Sequence, residues 1–405
     1  MSLDLIIYCI LGVACGTFTG LVPGIHVNTA APMALSLSKS AYLDPLLASV
    51  FICSMSITHT FIDFIPATVL GIPDPDMSLT VLPAHSMVLA GRGWEAISLS
   101  GIASLLSVII IVLSMPVLMP SIKCVYPLIS SSTLPILVIF SSVTILIHRG
   151  YKRKLMAAFA FGLSGFFGYV VLNDNVLFSD PLMPVFSGMF GLSSLLLGFM
   201  GGGNMPKQVM DNSFFLSKAK IFSASLKGTL SGILVSTVPG IGASQATILS
   251  NVFSKGDGEE GKRQFIVSCC SINTSNAFFA IMVLYLFGKA RNGALICVQE
   301  ILDTMMYSEF EVLLAVSIVT SFLAFFSLNI FGRLALDHVF KINYSYLCIF
   351  GIFFQLMIVL VLTGLAGLLL CAVATAVGIL PPSLNINRST LMGFLMIPVM
   401  TYYIG

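Results

Sequence analysis

Leu21-Val22-Pro23-Gly24-Ile25 and Thr237-Val238-Pro239-Gly240-Ile241 break two apolar stretches with the same proline–glycine pair. Proline removes a backbone donor and glycine relaxes the chain, so each break predicts helix ends with unpaired amides. Both breaks fall in segments apolar enough for a bilayer, where loose amides must find partners inside the protein or on a bound molecule. Small and polar residues follow each one: Asn28, Thr29 and Ala30 in the first half, Ser244, Gln245 and Ala246 in the second. Matching interruptions in two halves of a membrane chain point to a transporter's binding site.

Composition sets the class. The 405 residues are 57% hydrophobic and 9% charged, with a mean hydropathy of +1.02, which excludes an ordinary soluble domain. Apolar runs recur at 3–22, 45–70, 96–120, 132–147, 155–172, 183–200, 221–238, 264–288, 312–331, 345–380 and 390–404. A crossing helix needs about 20 apolar residues, so the pattern predicts an all-α polytopic membrane protein with about 10–12 membrane segments. The run 345–380 is long enough for two crossings and is interrupted at Gly364 and Gly367. The start, Met1-Ser2-Leu3-Asp4, lacks a basic n-region, so it reads as a retained first helix. A net charge of +2 without a basic stripe implies no nucleic acid. The nine cysteines sit mostly in apolar runs without ligand spacing, so they read as packing residues and no metal site is expected.

A shift of 216 residues carries Pro23 onto Pro239, and with it Gly16 onto Gly232 and Thr58 onto Thr274. One residue more carries Ser54 onto Ser271 and Phe61 onto Phe278. Each broken helix is therefore followed by an apolar segment with a polar cluster: Ser56-Ile57-Thr58-His59-Thr60, then Ser271-Ile272-Asn273-Thr274-Ser275-Asn276. This order predicts an internal duplication: a first transmembrane repeat over 1–147, connecting segments with a basic loop over 148–220, a second repeat over 221–331, and C-terminal helices over 332–405. Basic loops favour the cytoplasm, which places Arg92, the cluster Arg149, Lys152, Arg153 and Lys154, and the lysines Lys207, Lys218 and Lys220 inside. If 221–254 is a re-entrant hairpin, Lys262 and Arg263 also fall inside and the two repeats are inverted. Lys289 and Arg291 then lie outside, against the rule.

The series Gly16-Thr-Phe-Thr-Gly20-Leu-Val-Pro23-Gly24, Asp44-Pro45, Gly71-Ile72-Pro73 and Gly91-Arg92-Gly93-Trp94-Glu95, in this order, resembles the large membrane subunit of tripartite tricarboxylate transporters, the TctA family. Phe186-Ser-Gly188-Met-Phe190-Gly-Leu192, Val238-Pro239-Gly240-Ile241-Gly242-Ala243 and the Asn273–Asn276 stretch are similar to that family's later motifs. The resemblance implies an extracytoplasmic binding protein and a small membrane subunit as partners. The chain departs from the family in showing Ile57-Thr58-His59-Thr60-Phe61 where a tyrosine–glycine–glycine stretch is usual.

A half-helix N-terminus concentrates partial positive charge and free amides, so it can hold a carboxylate or phosphate without a lysine. The candidate substrate site is accordingly Pro23, Gly24, Asn28 and Thr29 with Pro239, Gly240, Ser244 and Gln245. It is completed by Thr58, His59 and Thr60 and by Asn273, Thr274, Ser275 and Asn276. The bland reading of such residues is helix packing alone. Asp63, inside Phe61-Ile62-Asp63-Phe64-Ile65, is the ion-coupling candidate, because an intramembrane carboxylate is costly unless it functions. Its alternative is a wet, merely paired acid at a break before Pro66. His59 lies four residues earlier, on the same face of a continuous helix, which would allow a proton relay. Arg92 reads either as an anion holder or, more simply, as a loop anchor.

These features together predict a permease in the cytoplasmic membrane, moving a small organic anion, a carboxylate, by alternating access. No cofactor is expected beyond Na+ as a coupling ion, with H+ as the alternative driver. Two rivals share parts of the pattern. A translocase of a lipid-linked phosphate would use the same paired helix ends, and an intramembrane lipid-modifying enzyme would need Asp63, Asp74, Asp174 and Asp180 to converge.

Overall fold

In the computed structural model the described residues are 2–22, 27–40, 43–71, 81–173, 181–201, 206–211, 214–237, 246, 258–339, 341 and 343–404, and none of them is in a strand. The helices follow the apolar runs closely. They are α1 (Ser2–Leu21), α2 (Val27–Ser40), α3 (Pro45–Ile62), α4 (Phe64–Leu70), α5 (Val81–Leu89), α6 (Gly93–Ser131), α7 (Thr133–Leu146) and α8 (Tyr151–Asn173). After them come α9 (Leu182–Phe186), a π-helical stretch (Ser187–Leu192), α10 (Ser193–Gly201), α11 (Lys218–Thr237) and α12 (Gly258–Phe287). The chain ends in α13 (Gly293–Leu302), α14 (Tyr307–Val339), α15 (Tyr344–Ser383), a 3-10 turn (Arg388–Met392) and α16 (Gly393–Ile404).

Among the described residues, 8 helices are long and apolar enough to cross a membrane, and Thr133–Leu146 and Gly293–Leu302 are shorter apolar helices. α11 falls short of that apolarity because Lys218, Lys220 and Lys227 and its serines and threonines dilute it. Helix α15 is interrupted where the sequence says it should be. Gly364 adopts φ 68, ψ −166, a backbone conformation open to glycine and strained for other residues. Asp44 caps α3, its side chain accepting from Leu46 N at 2.9 Å and Leu47 N at 3.3 Å, with Pro45 in the first turn. The division between α3 and α4 follows from Pro66, which has no N–H for the Ile62 carbonyl.

Helix α1 runs parallel to α3, because small residues let the backbones close in register. A Cβ on Gly12 would stand 2.6 Å from Phe51 O, one on Gly16 2.8 Å from Thr58 Cβ, and one on Gly20 2.8 Å from Ile62 Cβ. Helices α11 and α12 are parallel in the same way: Lys220 pairs with Glu260 at 2.6 Å, Gly228 meets Ser268 O at 2.6 Å, and Gly232 meets Ser275. Small residues at four-residue spacing are the usual device for close helix approach in a bilayer. α2 packs on α3 and on α13.

The two pairs run in opposite directions. Leu70 and Gly71, at the end of α4, line the same cavity as Gly261 and Phe265 at the start of α12. Asp63, further back, lies within electrostatic reach of Cys270, further on.

The long helix of each half is seated on the other half. α6 runs along α12, joined by Glu95 to Arg263, by Ser107 to the Ser271 carbonyl at 3.0 Å, and by Tyr126 stacked on Phe287 at 4.1 Å. α14 packs against α3, where Thr320 Oγ1 donates to Ser54 Oγ at 3.1 Å. Thus Ser54 and Ser271, paired by the sequence shift, each meet a hydroxyl from the long helix of the opposite half. A second apolar cluster joins α7, α8, α9, the π-helical stretch, α15 and α16 into a second bundle and takes in Val235 of α11 and Ile272 of α12.

Candidate functional site

The helix breaks themselves, Pro23, Gly24, Pro239, Gly240, Ser244 and Gln245, lie outside the described residues, as do the side chains of Asn28 and Thr29. The polar clusters that follow are well defined. Thr58 and His59 on α3 are 0% and 2% exposed, while Asn273, Thr274 and Ser275 on α12 are 4%, 1% and 0% exposed. Thr60 and Asn276 are half-buried. Asp63 lies near Cys270 on the antiparallel α12, so counting back from one and forward from the other leads to Thr58–Thr60 and Asn273–Ser275 on the same side of that approach.

Several of these groups are accounted for locally. His59 Nδ1 and Thr19 Oγ1 share a hydrogen bond of 3.1 Å, Thr60 Oγ1 donates to Ile57 O at 2.8 Å, and Ser275 Oγ donates to Ile272 O at 3.0 Å. The hydroxyls of Thr58 and Thr274 have no hydrogen-bond partner among the described residues. These are the two threonines that the 216-residue shift pairs. Buried polar atoms are nearly always satisfied, so a matched pair of orphaned hydroxyls needs an explanation.

Asp63 sits at the α3–α4 break but is only 7% exposed, so the break is real and the wet surroundings are not. Its N–H still bonds to the His59 carbonyl at 2.9 Å, so the turn is helical and the two side chains share a face.

Arg92 is a structural anchor. Its Nε donates to Glu95 Oε2 at 3.0 Å, and its guanidinium lies over the Phe215 ring at 4.1 Å from the centroid. Glu95, 2% exposed, also accepts from Arg263 Nε at 2.8 Å, Arg263 Nη2 at 3.0 Å and Phe215 N at 2.8 Å. Arg263 read as a loop residue from the sequence; instead it is buried and closes this network. At the far end of α12, Arg291 donates to Tyr126 Oη at 2.7 Å and to Thr237 O, the last carbonyl before the second break, at 2.8 Å.

Sequence reasoning missed Arg388. It is 5% exposed and stands in the wall of a cavity of about 660 Å³ between the two bundles. Burial pulls its guanidinium down to about 10. Across that cavity His85 donates from Nδ1 to the Thr68 carbonyl at 2.9 Å, and burial holds its imidazole below the ordinary range. Asn387 N donates to His148 Nε2 at 2.9 Å, which ties this corner to the loop of Arg149 and Lys152.

Long apolar helices and close glycine-mediated packing define a multi-pass membrane protein. Residues 6–393 match the tripartite tricarboxylate transporter TctA family, and the chain belongs to that family. It is thus a membrane component of tricarboxylate transport, a transporter subunit and not an enzyme. Such subunits work with a binding protein and a small membrane subunit. The chain is 28% identical over 413 residues to the uncharacterized protein MJ1079 of Methanocaldococcus jannaschii, covering 98% of this chain and 99% of the relative. No solved structure is significantly similar to it.

Proposed function

We propose that this protein is a secondary active permease of the cell membrane that carries a small carboxylate, driven by a Na+ or H+ gradient. The observation that carries the reading is the pairing of Thr58 with Thr274: two orphaned buried hydroxyls on helices that run in opposite directions. Oppositely directed pairs, α1 with α3 and α11 with α12, are what inverted repeats produce, and such repeats meet at a substrate site near the bilayer midplane. Hydroxyls and the Asn273 and Asn276 amides suit a carboxylate or a sodium ion, since both are bound by small neutral dipoles without full desolvation of a counter-charge. Asp63 then serves the coupling ion: its carboxylate either holds Na+ or carries the proton.

One end of the molecule gathers Arg92, Lys207, Lys220, Lys262, Arg263 and the loop after His148, and this crowding of basic residues supports reading that end as the cytoplasmic one. The opposite end faces outward and is where an extracytoplasmic binding protein would deliver substrate. The small membrane subunit would dock on the lipid-facing helices.

The test is uptake by proteoliposomes holding the purified chain, alone and with its accessory subunits, across a panel of mono-, di- and tricarboxylates. Accumulation of one carboxylate only under an inward Na+ or H+ gradient is the expected result. Equal uptake with the gradient collapsed would overturn gradient coupling, and no uptake of any carboxylate would overturn the substrate class.

A further inference from the structure

The cavity between the two bundles has the makings of a second site, and its argument is independent of the Thr58–Asn276 clusters. Arg388 opens the 3-10 turn at its wall and, among the described residues, has no acidic partner. Its Nη1 donates to Ser193 Oγ at 3.0 Å, Ser194 Oγ at 2.6 Å and Phe190 O at 3.3 Å. Its Nε bonds to nothing among the described residues. Neither does the hydroxyl of Ser389 beside it, although Ser389 is 2% exposed.

A buried guanidinium without a counter-charge is costly, and leaving its donors idle adds to the cost. Among the described residues of the lining there is no aspartate or glutamate, and its other cation, Lys262, is paired with Glu259 at 2.6 Å. The Phe190 carbonyl that holds Nη1 belongs to the π-helical stretch, a helix form that frees backbone carbonyls and recurs at functional sites. That carbonyl and the two serines hold Nη1 and leave Nε as the unused donor, on the side of the guanidinium by which arginine binds planar anions. Away from this corner the wall is apolar, and the volume is in the range of small-molecule sites.

We propose that this cavity is an anion-binding site in which Arg388 Nε and Ser389 Oγ take a carboxylate or phosphate head, while Leu195, Leu197 and Phe265 take an apolar body. Two sources supply that chemistry, a water-soluble aryl carboxylate and an acidic phospholipid.

The experiment is calorimetric titration of the purified full-length chain in an uncharged detergent, with phenylacetate in one arm and a short-chain phosphatidate in the other. At least one probe should bind saturably. Its affinity should fall at least about tenfold in Arg388→Met and about threefold in Ser389→Ala, and stay unchanged in Gly162→Ala, where an added Cβ meets nothing within 4 Å. Saturable binding of phenylacetate identifies a soluble anion; binding of phosphatidate alone identifies a lipid. Ser389→Ala removes a hydroxyl that holds nothing, so it keeps the test readable if Arg388→Met does not fold. Leu197→Trp, which fills the apolar end, is the companion variant. Absence of saturable binding by both probes overturns the site, as does binding that Ser389→Ala and Leu197→Trp leave unchanged.

Discussion

Arg263 closes on Glu95 with Nε at 2.8 Å and Nη2 at 3.0 Å, a two-point grip that fastens the second turn of α12 to the first turn of α6. Both side chains are buried, at 8% and 2% exposure, so neither charge has water to fall back on. Removing one partner leaves Glu95 with only Arg92 and the Phe215 amide, or Arg263 with only Glu259, so the loss should stay below the about 3–5 kcal/mol of a fully unpaired buried charge, and replacing both is milder still. Thermal unfolding in detergent should therefore show a drop for Arg263→Met and for Glu95→Gln. The double variant Arg263→Met/Glu95→Met should unfold well above the sum of the two losses.

Gly12 and Gly228 are predicted to be equally intolerant of a methyl group. In both cases the added Cβ would stand 2.6 Å from a backbone carbonyl, Phe51 O or Ser268 O, and a backbone atom has no rotamer by which to yield. Overpacking of that kind costs about 1–3 kcal/mol. Gly162, with nothing within 4 Å, is the control, and alanine there should stabilise by about 0.5–1 kcal/mol through helix propensity. Unfolding midpoints of the three alanine variants check all of this.

His85 predicts an acid sensitivity. Burial lowers its pKa, with the hydrogen bond to the Thr68 carbonyl working against that. The unfolded chain therefore takes up the proton more readily than the folded one. The stability this group contributes is complete above the unfolded value of about 6.5 and is lost as pH falls through the folded one. Between about pH 7 and pH 5 the wild type should lose more stability than His85→Gln, measured as the difference of their midpoints. Parallel curves would show that His85 is not the sensor.

Thr58→Val and Thr274→Val separate function from folding. Valine keeps the shape and removes a hydroxyl that bonds to nothing among the described residues, so the unfolding midpoint should hold within the effect of about 0.5 kcal/mol typical of neutral changes. Carboxylate uptake should fall at least about tenfold in either variant if those hydroxyls bind substrate or ion. Full uptake in both would remove them from the site.

Asp63→Asn should leave a protein that equilibrates substrate but no longer concentrates it, the accumulation ratio dropping toward unity under an imposed gradient. Retained accumulation would transfer the coupling role to other residues.

The helices were legible because bilayer-length apolar runs leave little alternative: α1, α8 and α11 begin and end within a few residues of the runs that announce them, and Gly364 breaks α15 at the glycine the pattern marks. Gly16 and Gly232, which the sequence shift pairs, both sit at close helix crossings, Gly16 against Thr58 and Gly232 against Ser275. Arg263 and Arg388 were not legible. Their partners, Glu95 and the Ser193–Ser194 pair, lie 168 and about 195 residues away, and nothing local marks a cation as buried rather than solvated. Asp63 was half-legible: the sequence located the break before Pro66, but burial of the acid depends on what other helices bring to it.

The exchange of long helices between halves has a bearing on how the chain is made. Ser107 reaches its acceptor on Ser271 across 164 residues, so α6 leaves the ribosome long before its seat exists. Until α12 is synthesised, the first half must wait in the membrane with α6, its third membrane-length helix, unhoused and its buried serines facing lipid or a chaperone. A nascent chain halted after residue 220 should therefore be protease-sensitive and prone to extraction, and co-expressing the missing half in trans should rescue it, because each half completes the other's packing.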